Sequence, residues 1–229
     1  MIELFKKKED LFTILIIIIY VVLNSYCINS FGTTSYLTTI MNTCISVVLI
    51  YIIKSLKREK YYGLNKVKNI KKYLYFIPLL IIGTVNIWNG LNINNTPKEI
   101  LFYILTLINV GFIEEIIFRG FLFKMIEKDS LKKAIVITSI TFALGHIVNL
   151  LNGQNIIDTL LQICYALSLG YLFVTLLIKT KSLYPSILTH ILINSLAIFA
   201  SRTNEETLII TIILIIVSIS YSIYLKRRG

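Results

Sequence analysis

Apolar runs about as long as a bilayer is thick dominate this chain. A helix needs about 20 mostly apolar residues to cross the hydrocarbon core. Eight stretches of that kind follow one another, at 11–28, 36–53, 73–91, 97–123, 131–151, 156–178, 185–200 and 207–225. They predict an all-α, polytopic membrane protein with about eight transmembrane helices. In 229 residues they leave no room for a separate soluble domain. No internal repeat or Pro/Gly/Ser-rich linker divides the chain, so residues 1–229 read as one membrane domain. Composition agrees: 56% of residues are hydrophobic and 15% charged, against roughly 45–50% and about a quarter in soluble domains. That balance excludes a disordered chain, a collagen-like chain and a disulfide-rich secreted scaffold. Cys27, Cys44 and Cys164 fall in different spans and read as packing residues.

The net charge of +11 would suggest nucleic acid in a soluble protein. Here its distribution argues otherwise. Twenty of the 23 Lys and Arg lie at the N-terminus, the C-terminus and the connections after the second, fourth and sixth spans. The longest of these clusters runs from Lys54 to Lys72. Only Lys98 and Arg202 lie on the other side, and Arg119 falls inside the fourth span. By the positive-inside rule both termini and the basic loops face the cytoplasm, and the first span is an uncleaved anchor. No nucleic-acid partner is expected; the bilayer is. Helix starts are also legible. Thr96-Pro97-Lys98-Glu99 predicts a capping box with proline at the first helical position. Pro185 marks the start of the seventh span, and Thr203 with Glu206 is a candidate cap for the eighth.

Ionisable groups inside spans are costly, so each is a functional candidate. The set is Glu114, Glu115, Arg119, His146 and His190, with Asp158 near an interface. Both histidines of the chain lie within spans. Glu115 and Arg119 are four apart and share a helix face, so they can neutralise each other. Glu114 points about 100° away around the helix. It needs a partner from elsewhere, a proton or a metal. Phe142 shares a face with His146, and His190 with Asn194. At about 1.5 Å per residue, Glu114, His146 and His190 lie about 15, 20 and 8 Å from the inner ends of their spans. Taken singly, each has a bland reading as helix–helix glue. Together, a carboxylate, two imidazoles and an amide on three helices suit water activation with oxyanion stabilisation. Glu114, His146 and His190 equally suit a zinc shell with an open position.

The residues Glu114-Glu115-xxx-Arg119, Phe142-xxx-His146 and His190-xxx-Asn194, in that order and with a proline before the third motif, resemble the CPBP intramembrane proteases. That family includes type II CAAX prenyl endopeptidases, Abi-type proteins and bacteriocin self-immunity proteins. The resemblance covers about 97–200. It implies a CAAX-protease-like helical bundle and an endopeptidase whose site is reached from the cytoplasmic side. It further implies that Glu114 and His146 activate water, that His190 and Asn194 hold the oxyanion, and that Glu115, Arg119 and Phe142 support the site. A divalent metal such as zinc on Glu114, His146 and His190, or a metal-free glutamate-dependent mechanism, are both open. The implied partner is a peptide or membrane-protein substrate. Two other classes stand beside this one: a non-catalytic membrane immunity or partner protein, and a small transporter or proton relay. The lack of internal repeats and broken half-helices weakens the transporter.

Overall fold

The computed structural model describes residues 8–67, 76–201 and 204–227, and among them every regular element is a helix. The elements are α1 (Glu9–Phe31), α2 (Tyr36–Leu56), α3 (Ile77–Thr84, ending in a 3₁₀ turn Val85–Ile87) and α4 (Pro97–Glu127). There follow α5 (Leu131–Gly145, with a 3₁₀ turn His146–Leu150), α6 (Ile156–Thr180), α7 (Tyr184–Ser195, with a 3₁₀ turn Leu196–Phe199) and α8 (Asn204–Arg227). Many of their outward side chains are large and apolar, as a lipid-facing surface requires. The chain is a multi-pass membrane protein.

Among the described residues six helices are long and apolar enough to cross a bilayer, so the expected count of eight is not confirmed. The expected spans at 73–91 and 185–200 appear as the shorter apolar helices Ile77–Ile87 and Tyr184–Phe199; residues 73–75 lie outside the described set. Gly90, at φ +104°, ends the third stretch in irregular chain, and the seventh tightens to 3₁₀ geometry after Ser195. The two short helices run side by side in the same direction. At one end Leu183 N–H donates to Gly63 O (2.8 Å), and at the other Asn92 N–H donates to Phe199 O (3.0 Å).

Local chemistry sets the helix starts. Thr96 Oγ1 accepts from Glu99 N–H (3.3 Å), and Glu99 Oε2 accepts from Thr96 N–H (2.8 Å), completing the capping box. Ser35, Ser130 and Asn155 cap α2, α5 and α6, their side chains accepting from the backbone N–H of Leu37, Lys133 and Asp158. The candidate cap at Thr203 lies outside the described residues.

Helix α6 is the central element, flanked by α5 and α8, while α4 packs between α2 and α7. Between apolar helices in lipid, association relies on close packing and polar contacts. Thr39 and Thr106 hydroxyls meet at 2.7 Å across α2 and α4, and Asn42 donates to Asn24 Oδ1 at 3.0 Å across α2 and α1. Gly170 of α6 lies against the Ser139 backbone of α5. At the lysine-rich end, Glu9 accepts from Tyr62 Oη (2.8 Å), Lys128 Nζ (3.0 Å) and Arg58 Nη1 (3.2 Å), tying three segments together. Burial and the Glu9 carboxylate push the Tyr62 phenol well above its ordinary range, so it remains a donor.

The α4–α7 crossing is a close one and constrains the site. A Cβ added at Gly111 would lie 2.8 Å from Ile191 Cγ1 and 3.1 Å from its backbone nitrogen, which cannot rotate away. Gly111→Ala should therefore destabilise the protein by about 1–3 kcal/mol through overpacking. Gly120→Ala, whose nearest new contact is 3.8 Å, should leave the unfolding midpoint in detergent nearly unchanged. Equal midpoints for the two variants would contradict this account of the crossing.

Candidate active site

The six polar residues singled out from the sequence, with Phe142, sit on three helices that meet around α4. Glu114 and Glu115 close the regular α-helical part of α4. Directly after them, Ile116–Leu122 widens to π geometry, with Phe123 N–H donating to Phe118 O. Such insertions are frequent at functional sites. Arg119 lies in this wide segment and still reaches back, its Nη1 donating to Glu115 Oε1 at 3.0 Å. Both side chains are fully buried.

An isolated buried ion pair of this kind costs more in desolvation than it returns unless other contacts support it. Two aromatic faces and an imidazole do so. The Arg119 guanidinium carbon lies 4.0 Å from the Phe142 ring centroid and 5.4 Å from that of Phe173, a cation–π arrangement strengthened by the absence of solvent. His190 Nδ1 lies 3.0 Å from the same Glu115 oxygen that Arg119 uses. The Phe142 ring also meets Phe118, His146 and His190 edge-on at centroid distances of 5.5, 5.4 and 5.6 Å. The phenylalanine of the second motif is thus the common wall of Arg119 and both histidines.

Glu114 finds its partners on other helices, as its direction on α4 demands. Its Oε1 accepts from Tyr20 Oη of α1 at 2.9 Å, and its Oε2 lies 3.6 Å from His190 Nε2. His190 thereby bridges the two glutamates. It is buried beside Glu114, against Phe142 and Phe173. Glu114, His146 and Asn194 do share an open space, a cavity of about 560 Å³. That size is usual for ligand sites. His146 and Asn194 are placed there by the ends of their helices, one following Gly145 at the 3₁₀ transition and the other two residues before one.

Asn24, Asn86, Asn149, Asn152, Gln154 and Gln162 also line this cavity. The sequence patterns that mark Glu114, His146 and Asn194 do not extend to these residues or to Tyr20. Tyr20 and Asn24 lie four apart on α1, a helical spacing that would have flagged one polar stripe in an isoleucine-rich run.

The cavity extends to Thr33, Asn152, Gln154 and Ala200, in the connections at the lysine-poor end. Toward the lysine-rich end the site is backed by the buried side chains of Phe118, Phe121, Tyr62, Phe123 and Leu183. The Tyr62 and Phe121 rings pack edge-on at 4.8 Å. The physical reason is the helix register: Glu114, His146 and Asn194 lie above the packed π segment, not below it.

Among the described residues no three His, Cys, Asp or Glu side chains are grouped so that they could hold a metal ion.

Residues 96–196 match the family described as Rce1-like, type II CAAX prenyl endopeptidase. No curated protein matches the chain.

Breaking a buried pair by removing one partner typically costs about 3–5 kcal/mol. Arg119→Ala should therefore lower the unfolding midpoint in detergent strongly. The double change Glu115→Leu with Arg119→Met should recover much of that loss, since no unpaired charge is left. A double variant no more stable than Arg119→Ala would refute the unpaired charge as the main cause of the loss.

Proposed function

We propose that this chain, placed in the CPBP family through residues 96–196, is an intramembrane endopeptidase in which Glu114 and His146 activate the attacking water. The family is one of proteases; the residue roles are our reading. The observation that carries it is the convergence of a carboxylate, an imidazole and an amide on one cavity within the membrane span.

Water in the cavity gives a proton to Glu114 or His146 as its oxygen attacks the scissile carbonyl carbon. Asn194 Nδ2 donates to the oxyanion that forms. Collapse breaks the C–N bond, and the proton held by the base passes to the leaving amine. Tyr20 donates to Glu114 and holds its carboxylate toward the cavity. His190, fixed by Glu115, orients Glu114 from behind. Glu115, Arg119 and Phe142 hold His190 and the α4–α5–α7 junction. In this reading both termini and the basic loops face the cytoplasm.

A non-catalytic immunity or partner protein of the same family is the alternative, and it separates cleanly. Reconstituted protein should cleave members of a peptide library, and Glu114→Gln or His146→Ala should abolish cleavage while leaving the protein folded. Asn194→Ala should lower kcat by about 10²–10³, as expected for a lost oxyanion donor. Tyr20→Phe should lower kcat with little change in KM. Cleavage unchanged in Glu114→Gln would sink the mechanism, and a biological phenotype retained by that variant would favour the partner reading.

A further inference from the structure

The lysine-rich end carries a concavity of its own, about 50 Å³, beyond the packed layer that backs Glu114 and His146. Lysines from three separate stretches of the chain line it: Lys60 just after α2, Lys124 near the end of α4 and Lys181 at the end of α6. Glu127 also lines it and is taken up by Lys124, Nζ to Oε2 at 2.7 Å. The inner wall is apolar, formed by Phe123, Leu177 and Ile178.

The backbone that carries these lysines is fixed. Gly63 turns at φ +81°, its N–H donating to Lys60 O (3.2 Å) and its carbonyl accepting from Leu183 N–H (2.8 Å). A Cβ there would lie 3.0 Å from the side chains of both Leu177 and Leu183, so this turn is pressed onto the end of α6. Lys181 is the C-cap of α6, its N–H donating to Leu177 O (2.8 Å). Tyr61 Oη donates to Lys124 O (3.5 Å), and Lys124 Nζ lies 5.6 Å from the Tyr61 ring centroid.

Lysines at helix ends commonly serve the helix dipole or membrane topology. Either role is met wherever around the helix the side chain points, and neither asks lysines of different segments to converge. Three ammonium groups around one pocket, with a single lining carboxylate, concentrate positive charge at a point. Lysine binds phosphate as a point charge of this kind. A water molecule takes about 30 Å³ in the liquid, so the pocket admits the oxygens of one small anionic group.

The position of the pocket identifies where that anion comes from. Pro97–Glu127 has 31 residues and Ile156–Thr180 has 25, about 46 and 38 Å of helix at 1.5 Å per residue. The hydrocarbon core is about 30 Å thick. The ends of these helices therefore stand at the level of the lipid headgroups.

We propose that this pocket binds the phosphate of an anionic phospholipid. A zwitterionic lipid is a poorer fit, because it brings its own ammonium beside three others. The assignment is independent of the proteolytic reading.

The test uses the full chain purified in detergent. Binding of phosphatidylglycerol and of phosphatidylcholine is read by native mass spectrometry and by the unfolding midpoint. Phosphatidylglycerol should be retained in preference and should raise the midpoint. Lys60→Gln with Lys181→Gln should weaken its binding about 25-fold, or about fivefold for each lysine. Lys132→Gln with Lys133→Gln removes the same charge at the same end but outside the pocket, and should change binding by less than about twofold if the site is local. Equal losses in the two pairs would reduce the pocket to general surface charge and overturn the proposal, as would equal retention of phosphatidylcholine. Lys60→Arg with Lys181→Arg keeps the charge and covers the case in which the glutamine pair folds poorly; loss of the preference in the arginine pair would also overturn it. Inorganic phosphate that raises the midpoint as phosphatidylglycerol does, with no lipid retained, would assign the pocket to a free anion and overturn the lipid.

Discussion

One fully buried guanidinium organises this protein. Arg119 cannot be left alone in a low-dielectric interior, and each of its neighbours is placed by that requirement. Glu115 neutralises it, Phe142 and Phe173 cover its faces, and His190 shares the carboxylate oxygen it uses. Those groups come from four helices, so satisfying one charge brings α4, α5, α6 and α7 into register. Glu114, the residue just before Glu115, is then presented to the cavity with no further freedom. The close approach at Gly111 makes this possible, because any larger side chain would hold α7 and His190 away from α4.

The catalytic candidates divide into a dry layer and a wet layer. Glu115, Arg119, Phe142 and His190 are buried and support one another. Glu114, His146 and Asn194 reach the cavity. Glu114 stands at the boundary, held by Tyr20 from one side and by His190 from the other. The π segment begins immediately below this pair of glutamates, so the backbone changes pitch where the environment changes from wet to dry.

Much of this was legible in the sequence, for identifiable reasons. The Glu115–Arg119 pair follows from a spacing of four, and the need of Glu114 for a partner elsewhere follows from its direction on the same helix. The capping box at Thr96 follows from local hydrogen-bond chemistry. These are short-range properties, and short-range patterns carry them. Three features were not legible. Helix length in the third and seventh apolar stretches depends on where the backbone leaves α geometry, which hydropathy does not encode. Tyr20 and the other carboxamides are not legible because they lie in segments distant in sequence from Glu114, His146 and Asn194 and join them only through the packing of the bundle. The direction of the cavity depends on which side of Glu114 the bundle packs tightly, and that is a property of three helices together.

The packed layer under the site has an electrical consequence. A water-filled cavity is close in potential to the solution it joins, so the membrane voltage does not fall evenly across this protein. It falls mainly over the short stretch holding Arg119, Phe121, Tyr62 and Leu183. A unit charge crossing the full field exchanges about 2.3 kcal/mol per 100 mV. Protons moving between Glu114 and the cavity cross almost none of it. On the proteolytic reading proposed above, hydrolysis would therefore proceed at nearly the same rate in an energised membrane as in a depolarised one.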